Sequence, residues 1–132
     1  MRAWQIPYVL LDRSHTIAQG LHNPTGSLWH AIMHRREGDF SNSKYWLNRC
    51  GNHPAFPLIA PLAAATTGSM PADKMVLRCL RGGWDPAAMV DLAEAADNEA
   101  DTPRRRAAVA LQQIEWKTLF DYCARTAAGG AG

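Results

Sequence analysis

The chain repeatedly places a helix-starting signal before an apolar run and a glycine after one. Asp85-Pro86 and Thr102-Pro103 each put a side-chain oxygen at the N-cap position and a proline in the first turn. Gly38 and Gly51 follow runs in which apolar residues recur three and four positions apart, as on one face of a helix. No stretch alternates apolar and polar residues as a half-buried strand would, and no Asn-Gly hairpin occurs. The pattern predicts an all-α fold.

These signals predict a single compact domain of five to seven helices over residues 1–128, with residues 129–132 as a flexible C-terminal tail. A chain of this length buries roughly two thirds of its unfolded surface, so it folds without a metal or disulfide. Two short helices, 28–37 with Ser27 as N-cap and 42–50 capped by Asp39 or Ser41, should meet at a tight corner as a central αα-hairpin. The long C-terminal helix should form the centre of the packing. The other helices are expected at 8–20, at 55–65 with a kink caused by Pro57 and Pro61, at 73–81, at 86–98 and at 103–127.

The overall charge and the cysteines argue against several function classes. A net charge of +2 and a pI near 8.6 are too mild to indicate a nucleic-acid partner. No apolar run approaches the ~20 residues of a membrane span, and the N-terminus lacks the pattern of a signal peptide. Cys50, Cys79 and Cys123 are widely spaced and form no CxxC motif, which fits reduced thiols in a cytoplasmic protein.

The predicted hairpin carries an unusual density of hydrogen-bonding and titratable side chains. His30, His34 and Glu37 fall within about 60° of arc on the first helix. An ordinary helical corner needs only a cap and a glycine, so this density points to a binding or catalytic site. Glu115 adds to it, because a carboxylate in the apolar stripe of the last helix must find a partner or take up a proton. A histidine or arginine from the hairpin is the natural partner, although Glu115 could also lie at the edge of the stripe with its carboxylate in water.

Three blocks of the sequence stand out: HRREGDFxNxKYW from His34, WDP from Trp84, and EWxxLFDYC from Glu115. Together they resemble a group of small, mostly bacterial helical proteins with no established activity. Together the blocks cover about a third of the chain and span most of its length. The resemblance implies no mechanism.

The leading interpretation is a site at the hairpin corner that binds a small polar molecule, with acid–base chemistry as a further step. In that interpretation His34 transfers a proton near neutral pH, and Glu37 or Asp39 orients its imidazole. The sequence leaves open whether the protein is an enzyme. The residues expected to hold the ligand are His30, Arg35, Asn42, Lys44, Tyr45, His53 and Glu115.

The alternative is a non-enzymatic interaction or structural module. The same polar residues would then form an internal salt-bridge network, and the aromatic residues would form a homodimer face. A third interpretation uses His30 and His34, four residues apart on one helix, as metal ligands. This spacing alone is a weak motif that needs a further ligand, so we predict no metal and no cofactor. Cys50, close in sequence to Arg49 and His53, is the sole candidate for a cysteine nucleophile.

Overall fold

The computed structural model describes residues 23–129, with side chains described to residue 126. Within them the chain forms a compact all-α domain with no strand, which confirms the predicted fold class for this part of the chain. The predicted helix at 8–20 and residues 130–132 of the predicted tail lie outside the described residues. The helices are α1 (Pro24–Arg36), α2 (Phe40–Cys50), α3 (Phe56–Thr67), α4 (Lys74–Leu80), α5 (Pro86–Asp97) and α6 (Pro103–Gly129).

Short polar side chains cap the starts of five of these helices, including Thr102 at the start of α6. Asp73 accepts hydrogen bonds from the backbone N–H groups of Met75 at 2.9 Å and Val76 at 3.3 Å, and Asp85 caps α5 in the same way. Helix α1 begins earlier than expected, because Asn23 rather than Ser27 is its N-cap and Pro24 occupies its first turn. The prediction for Ser27 was therefore wrong.

The hairpin of α1 and α2 turns at Gly38, whose φ of 81° lies in the left-handed region that glycine adopts without strain. Asp39, one of the two predicted candidates, caps α2. The buried hydroxyl of Ser43 donates to the carbonyl oxygen of Ala31 at 2.6 Å, which ties the two helices together midway along their contact. The predicted central αα-hairpin is present.

Helix α3 runs without interruption from Phe56 to Thr67. Pro57 lies in its first turn, where the missing N–H costs nothing. Pro61 lies inside the helix and removes one backbone donor, yet the helix continues to Thr67. The prolines therefore do not divide this helix.

Helix α6 contributes one long buried face to the core. Helices α3, α4 and α5 pack against it, while α2 packs against α5. The buried apolar residues of α1 and α6 belong to a single core cluster that includes Trp29, Ile32, Ala108, Leu111 and Leu119. No helix in the described part of the chain is both long enough and apolar enough to cross a membrane.

Candidate functional site at the helical hairpin

A buried polar network connects the end of α1 to the middle of α6. The guanidinium of Arg35, 1% exposed, donates from Nε to Oε1 of Gln112 at 2.6 Å and forms an ion pair with Oε1 of Glu115, which is fully buried. The indole Nε1 of Trp84, which lies just before α5, donates to Oε2 of Glu115 at 3.3 Å. Both carboxylate oxygens of Glu115 are therefore occupied, and three parts of the chain meet at one charged pair.

Arg36 lies buried next to this pair and adds a second guanidinium to the same region. Burial, together with the nearby charge of Arg35, lowers the pKa of Arg36 to about 9, and Glu115 opposes both effects. Arg36 remains cationic at neutral pH. Glu115 thus interacts favourably with two buried cations, which makes it the central counterion of the interior.

His34 and Asp39 form a different, half-exposed arrangement at the corner of the hairpin. The Nδ1 atom of His34 lies 3.8 Å from Oδ2 of Asp39, and the two side chains are 24% and 46% exposed. Nδ1 is itself buried and makes no hydrogen bond within residues 23–129. The separation exceeds a hydrogen bond. The imidazole therefore keeps unused hydrogen-bonding capacity beside a carboxylate.

Asp39 has a second role, because it is also the N-cap of α2. Its Oδ1 accepts from the backbone N–H of Asn42 at 3.4 Å, and its Oδ2 accepts from the Asn42 side-chain amide at 3.2 Å. The predicted site residue Asn42 is thus held against Asp39 at the surface. A carboxylate fixed by two contacts is well placed to orient a neighbouring histidine.

A row of rings extends from His34 along the hairpin. The ring of His30 stacks with the ring of Trp46 at a centroid distance of 4.2 Å and with His34 at 6.4 Å. The guanidinium of Arg49 lies 5.3 Å from the Trp46 ring centroid, and its Nη1 donates to the Tyr45 hydroxyl at 3.2 Å. His30, His34 and Trp46 therefore form one continuous surface with Asp39 at its end.

The other predicted site residues lie elsewhere. Glu37 is exposed at the C-cap of α1, and Lys44 forms an ion pair with Asp91 of α5 at 2.7 Å. Arg35 and Glu115 are in contact, but in the buried network rather than at the half-exposed corner. The structure thus separates the predicted set into an interior group and a surface group.

His53 is buried and connects the starts of two helices. Its Nδ1 accepts from the backbone N–H of Ala55 at 3.0 Å, so the neutral ring carries its proton on Nε2 and donates to Oγ1 of Thr25 at 2.8 Å. The ring also contacts Tyr122 edge-on at 5.3 Å. Burial lowers the pKa of His53, which favours this neutral form. None of these partners belongs to the predicted site, so His53 has a structural role: it joins the starts of α1 and α3.

The described residues offer little for metal or thiolate chemistry. Residues 23–129 contain no group of three or more His, Cys, Asp or Glu side chains placed to hold a metal ion. Burial raises the pKa of the Cys50 thiol to about 11, so Cys50 is a thiol rather than a nucleophilic thiolate at neutral pH.

Gln112 and Ser43 were not among the predicted residues. Gln112 lies four residues after Ala108 and three before Glu115, so its place in the apolar stripe could have marked it in the same way as Glu115. Ser43 lies three, four and seven residues before Trp46, Leu47 and Cys50, so helical spacing could have placed it on their face of α2, unlike its exposed neighbour Ser41.

Comparisons of the chain with protein-family models, with curated proteins and with solved structures give no match.

Proposed function

We propose that the corner of the hairpin binds a small polar molecule, with His34 as the proton-transferring group and Asp39 as the carboxylate that orients it. The observation that carries this proposal is the position of His34 Nδ1, buried, 3.8 Å from Asp39 and without a hydrogen bond in the described part of the chain. A histidine beside a carboxylate is suited to acid–base chemistry near neutral pH. Asp39 takes the orienting role in preference to Glu37, because its Oδ2 lies 3.8 Å from His34 Nδ1.

The buried network supports such a site without belonging to it. Arg35 and Glu115 already satisfy one another, so neither offers a free group to a ligand. Their contact anchors the last turn of α1, the turn that carries His34, to α6. A rigid backbone under a reactive side chain is what a binding or catalytic site requires.

A second candidate function is a non-enzymatic structural or interaction module. The pairing of Arg35 with Glu115 and of Lys44 with Asp91 favours it, because these charges pair with one another within the molecule. Under this candidate, Asp39 serves as a helix cap and His34 as a half-buried packing residue. We also propose that the protein is cytoplasmic and belongs to the group that its three sequence blocks resemble.

A ligand screen that monitors NMR signals of the hairpin corner distinguishes the two candidates. Phosphate, succinate, glycine, ethanolamine and glucose, each at millimolar concentration, are added to ¹⁵N-labelled protein, and backbone amide shifts are followed by NMR. The variants His34→Asn and Asp39→Asn remove the two proposed groups. Asp101→Asn removes an exposed carboxylate on another part of the surface and is the control.

We expect at least one compound to shift the amide signals of residues 34–42 saturably in the wild type and in Asp101→Asn. The same compound should cause no shift in His34→Asn or Asp39→Asn. If no compound shifts these signals, or if the variants respond as the wild type does, the structural module is the better description.

A further inference from the structure

The two ring nitrogens of His34 differ in what can reach them. Nδ1 is buried, lies 3.8 Å from Oδ2 of Asp39 and makes no hydrogen bond in the described part of the chain. The His34 side chain as a whole is nevertheless 24% exposed. A molecule that arrives from solvent therefore meets the imidazole at its second nitrogen, Nε2.

The carboxylate beside Nδ1 decides which nitrogen carries the proton in the neutral ring. A neutral imidazole has one N–H group and one lone pair. A lone pair on Nδ1 would face a carboxylate oxygen of Asp39, so two acceptors would lie against each other. A proton on Nδ1 is instead attracted to that oxygen, and the lone pair is then on Nε2. His34 thus presents a hydrogen-bond acceptor to a ligand.

The surface around His34 carries negative charge. Asp39 is 46% exposed, and Glu37, two residues before it, is exposed as well. Within residues 23–129, neither carboxylate forms an ion pair with a lysine or an arginine. The C-terminal end of α1, which has a partial negative charge, lies at the same corner.

The lysine and arginine side chains of the hairpin make contacts away from this corner. Arg35 and Arg36 are buried. Lys44 forms an ion pair with α5, and Arg49 lies over the ring of Trp46. Two exposed carboxylates at the corner are therefore left to interact with a positive charge from outside the hairpin.

We propose, building on the function proposed for the corner, that its ligand is a small ammonium compound. The ammonium group donates a hydrogen bond to Nε2 of His34, and the carboxylates of Asp39 and Glu37 attract its positive charge. A neutral hydroxyl compound donates the same hydrogen bond but lacks this attraction. An anion would face the lone pair on Nε2 and be repelled by both carboxylates.

The test is NMR titration of ¹⁵N-labelled protein with three two-carbon compounds of similar size, at constant ionic strength. Ethanolamine is a cation, ethylene glycol is neutral and glycolate is an anion, so the series varies charge with little change in shape. The backbone amide shifts of residues 34–42 report binding at the corner. The ¹⁵N signals of the histidine rings at pH 8, assigned with His34→Asn, show which nitrogen of His34 carries the proton.

Two further variants separate the charge at the corner from charge elsewhere on the surface. Asp39→Asn removes the carboxylate beside Nδ1 and keeps a side-chain cap for α2. Asp101→Asn makes the same chemical change at an exposed carboxylate on another part of the molecule and is the control.

We expect ethanolamine to bind at least tenfold more tightly than ethylene glycol or glycolate in the wild type and in Asp101→Asn. Asp39→Asn should lose the response to ethanolamine, and the neutral ring of His34 should carry its proton on Nδ1. This combination of results would support an ammonium ligand that is recognised at Nε2.

Glycolate or ethylene glycol binding as tightly as ethanolamine overturns the ammonium ligand but leaves a binding site at the corner. So does a proton on Nε2 of His34, or a response at residues 34–42 to phosphate, succinate or glucose alone. Undiminished binding of ethanolamine to Asp39→Asn also overturns it. If no compound shifts the signals of residues 34–42, both the ammonium ligand and the proposed binding site are overturned.

Discussion

Adjacent residues in the hairpin block have opposite environments. His34 and Arg35 are separated by about 100° around the helix axis. That rotation places Arg35 in the interior against α6 and leaves His34 partly exposed beside Asp39. A high density of polar residues in sequence therefore identifies a region of interest, but the role of each residue depends on the side of the helix on which it lies.

At His53, we expect stability to depend on pH with a definite sign. Burial keeps the pKa of His53 below its ordinary value of 6.5, so over the interval below pH 6.5 the unfolded chain binds more protons than the folded one. The contribution of His53 to the free energy of unfolding is complete above pH 6.5 and declines as the pH falls towards the folded-state pKa. Protonating Nδ1 would also abolish the hydrogen bond from Ala55.

The measurement is urea unfolding of the wild type and His53→Gln between pH 5 and pH 8. The wild type should lose more stability than His53→Gln as the pH falls through this range. Because the other histidines titrate in both proteins, the difference between the two curves isolates His53. Parallel curves would contradict the assignment of His53 as a buried, neutral imidazole with a lowered pKa.

Part of the site was predictable from single residues. For a carboxylate in an apolar stripe, the sequence left two outcomes open for Glu115, a histidine or arginine partner from the hairpin or an edge position in water. The structure shows the first, with Arg35 as the partner. The sequence could not indicate that Trp84 supplies the second hydrogen bond. That contact depends on how the loop before α5 lies against α6, which no local pattern encodes.

At the scale of helices, ends with a strong local signal were predicted well. The Asp85-Pro86 pair sets the start of α5 as expected, and α4 begins at Lys74, one residue after its expected start, with Asp73 as its N-cap. The start of α1 was misplaced because two cap candidates, Asn23 and Ser27, lie four residues apart, and the proline after Asn23 decides between them. Helix α3 was harder to predict, because the packing of its buried face outweighs the donor that Pro61 removes.

Asp73 is expected to stabilise the short helix α4. Its carboxylate accepts two backbone N–H groups and the Nε of Arg104 on α6. Burial would raise the pKa of Asp73, but the hydrogen bonds from Arg104 and from the backbone N–H groups of Val76 and Met75 hold it below its ordinary value. Asp73→Ala should cost about 1 kcal/mol through loss of the cap. Asp73→Asn should cost less, because the amide oxygen still caps the helix.

Thermal unfolding at neutral pH measures both Asp73 variants. Asp101→Ala, at a carboxylate that is largely in solvent, is the control and should leave the melting temperature close to that of the wild type. If Asp73→Asn were as damaging as Asp73→Ala, the ion pair with Arg104 rather than the cap would be the main contribution.

At the scale of the whole molecule, the fold class follows from local patterns and the packing does not. Helical spacing between caps and glycines was sufficient to predict an all-α domain with a hairpin and a long last helix. The contacts of α2 with α5 and of Arg35 with Gln112 join positions far apart in the chain. Such pairings follow from how apolar faces fit together in three dimensions, and one sequence does not specify them.

The central claim is that the polar hairpin is divided into a buried structural network and a half-exposed site. Its most direct test is urea unfolding of Glu115→Gln and Asp39→Asn, since each replaces one carboxylate by its amide. Glu115→Gln should lower the free energy of unfolding by about 3–5 kcal/mol, because it leaves a buried guanidinium without its counterion. Asp39→Asn should lower it by less than about 1 kcal/mol, because asparagine caps a helix as well as aspartate does. If Asp39→Asn is as costly as Glu115→Gln, or if Glu115→Gln costs nothing, the division into network and site is contradicted.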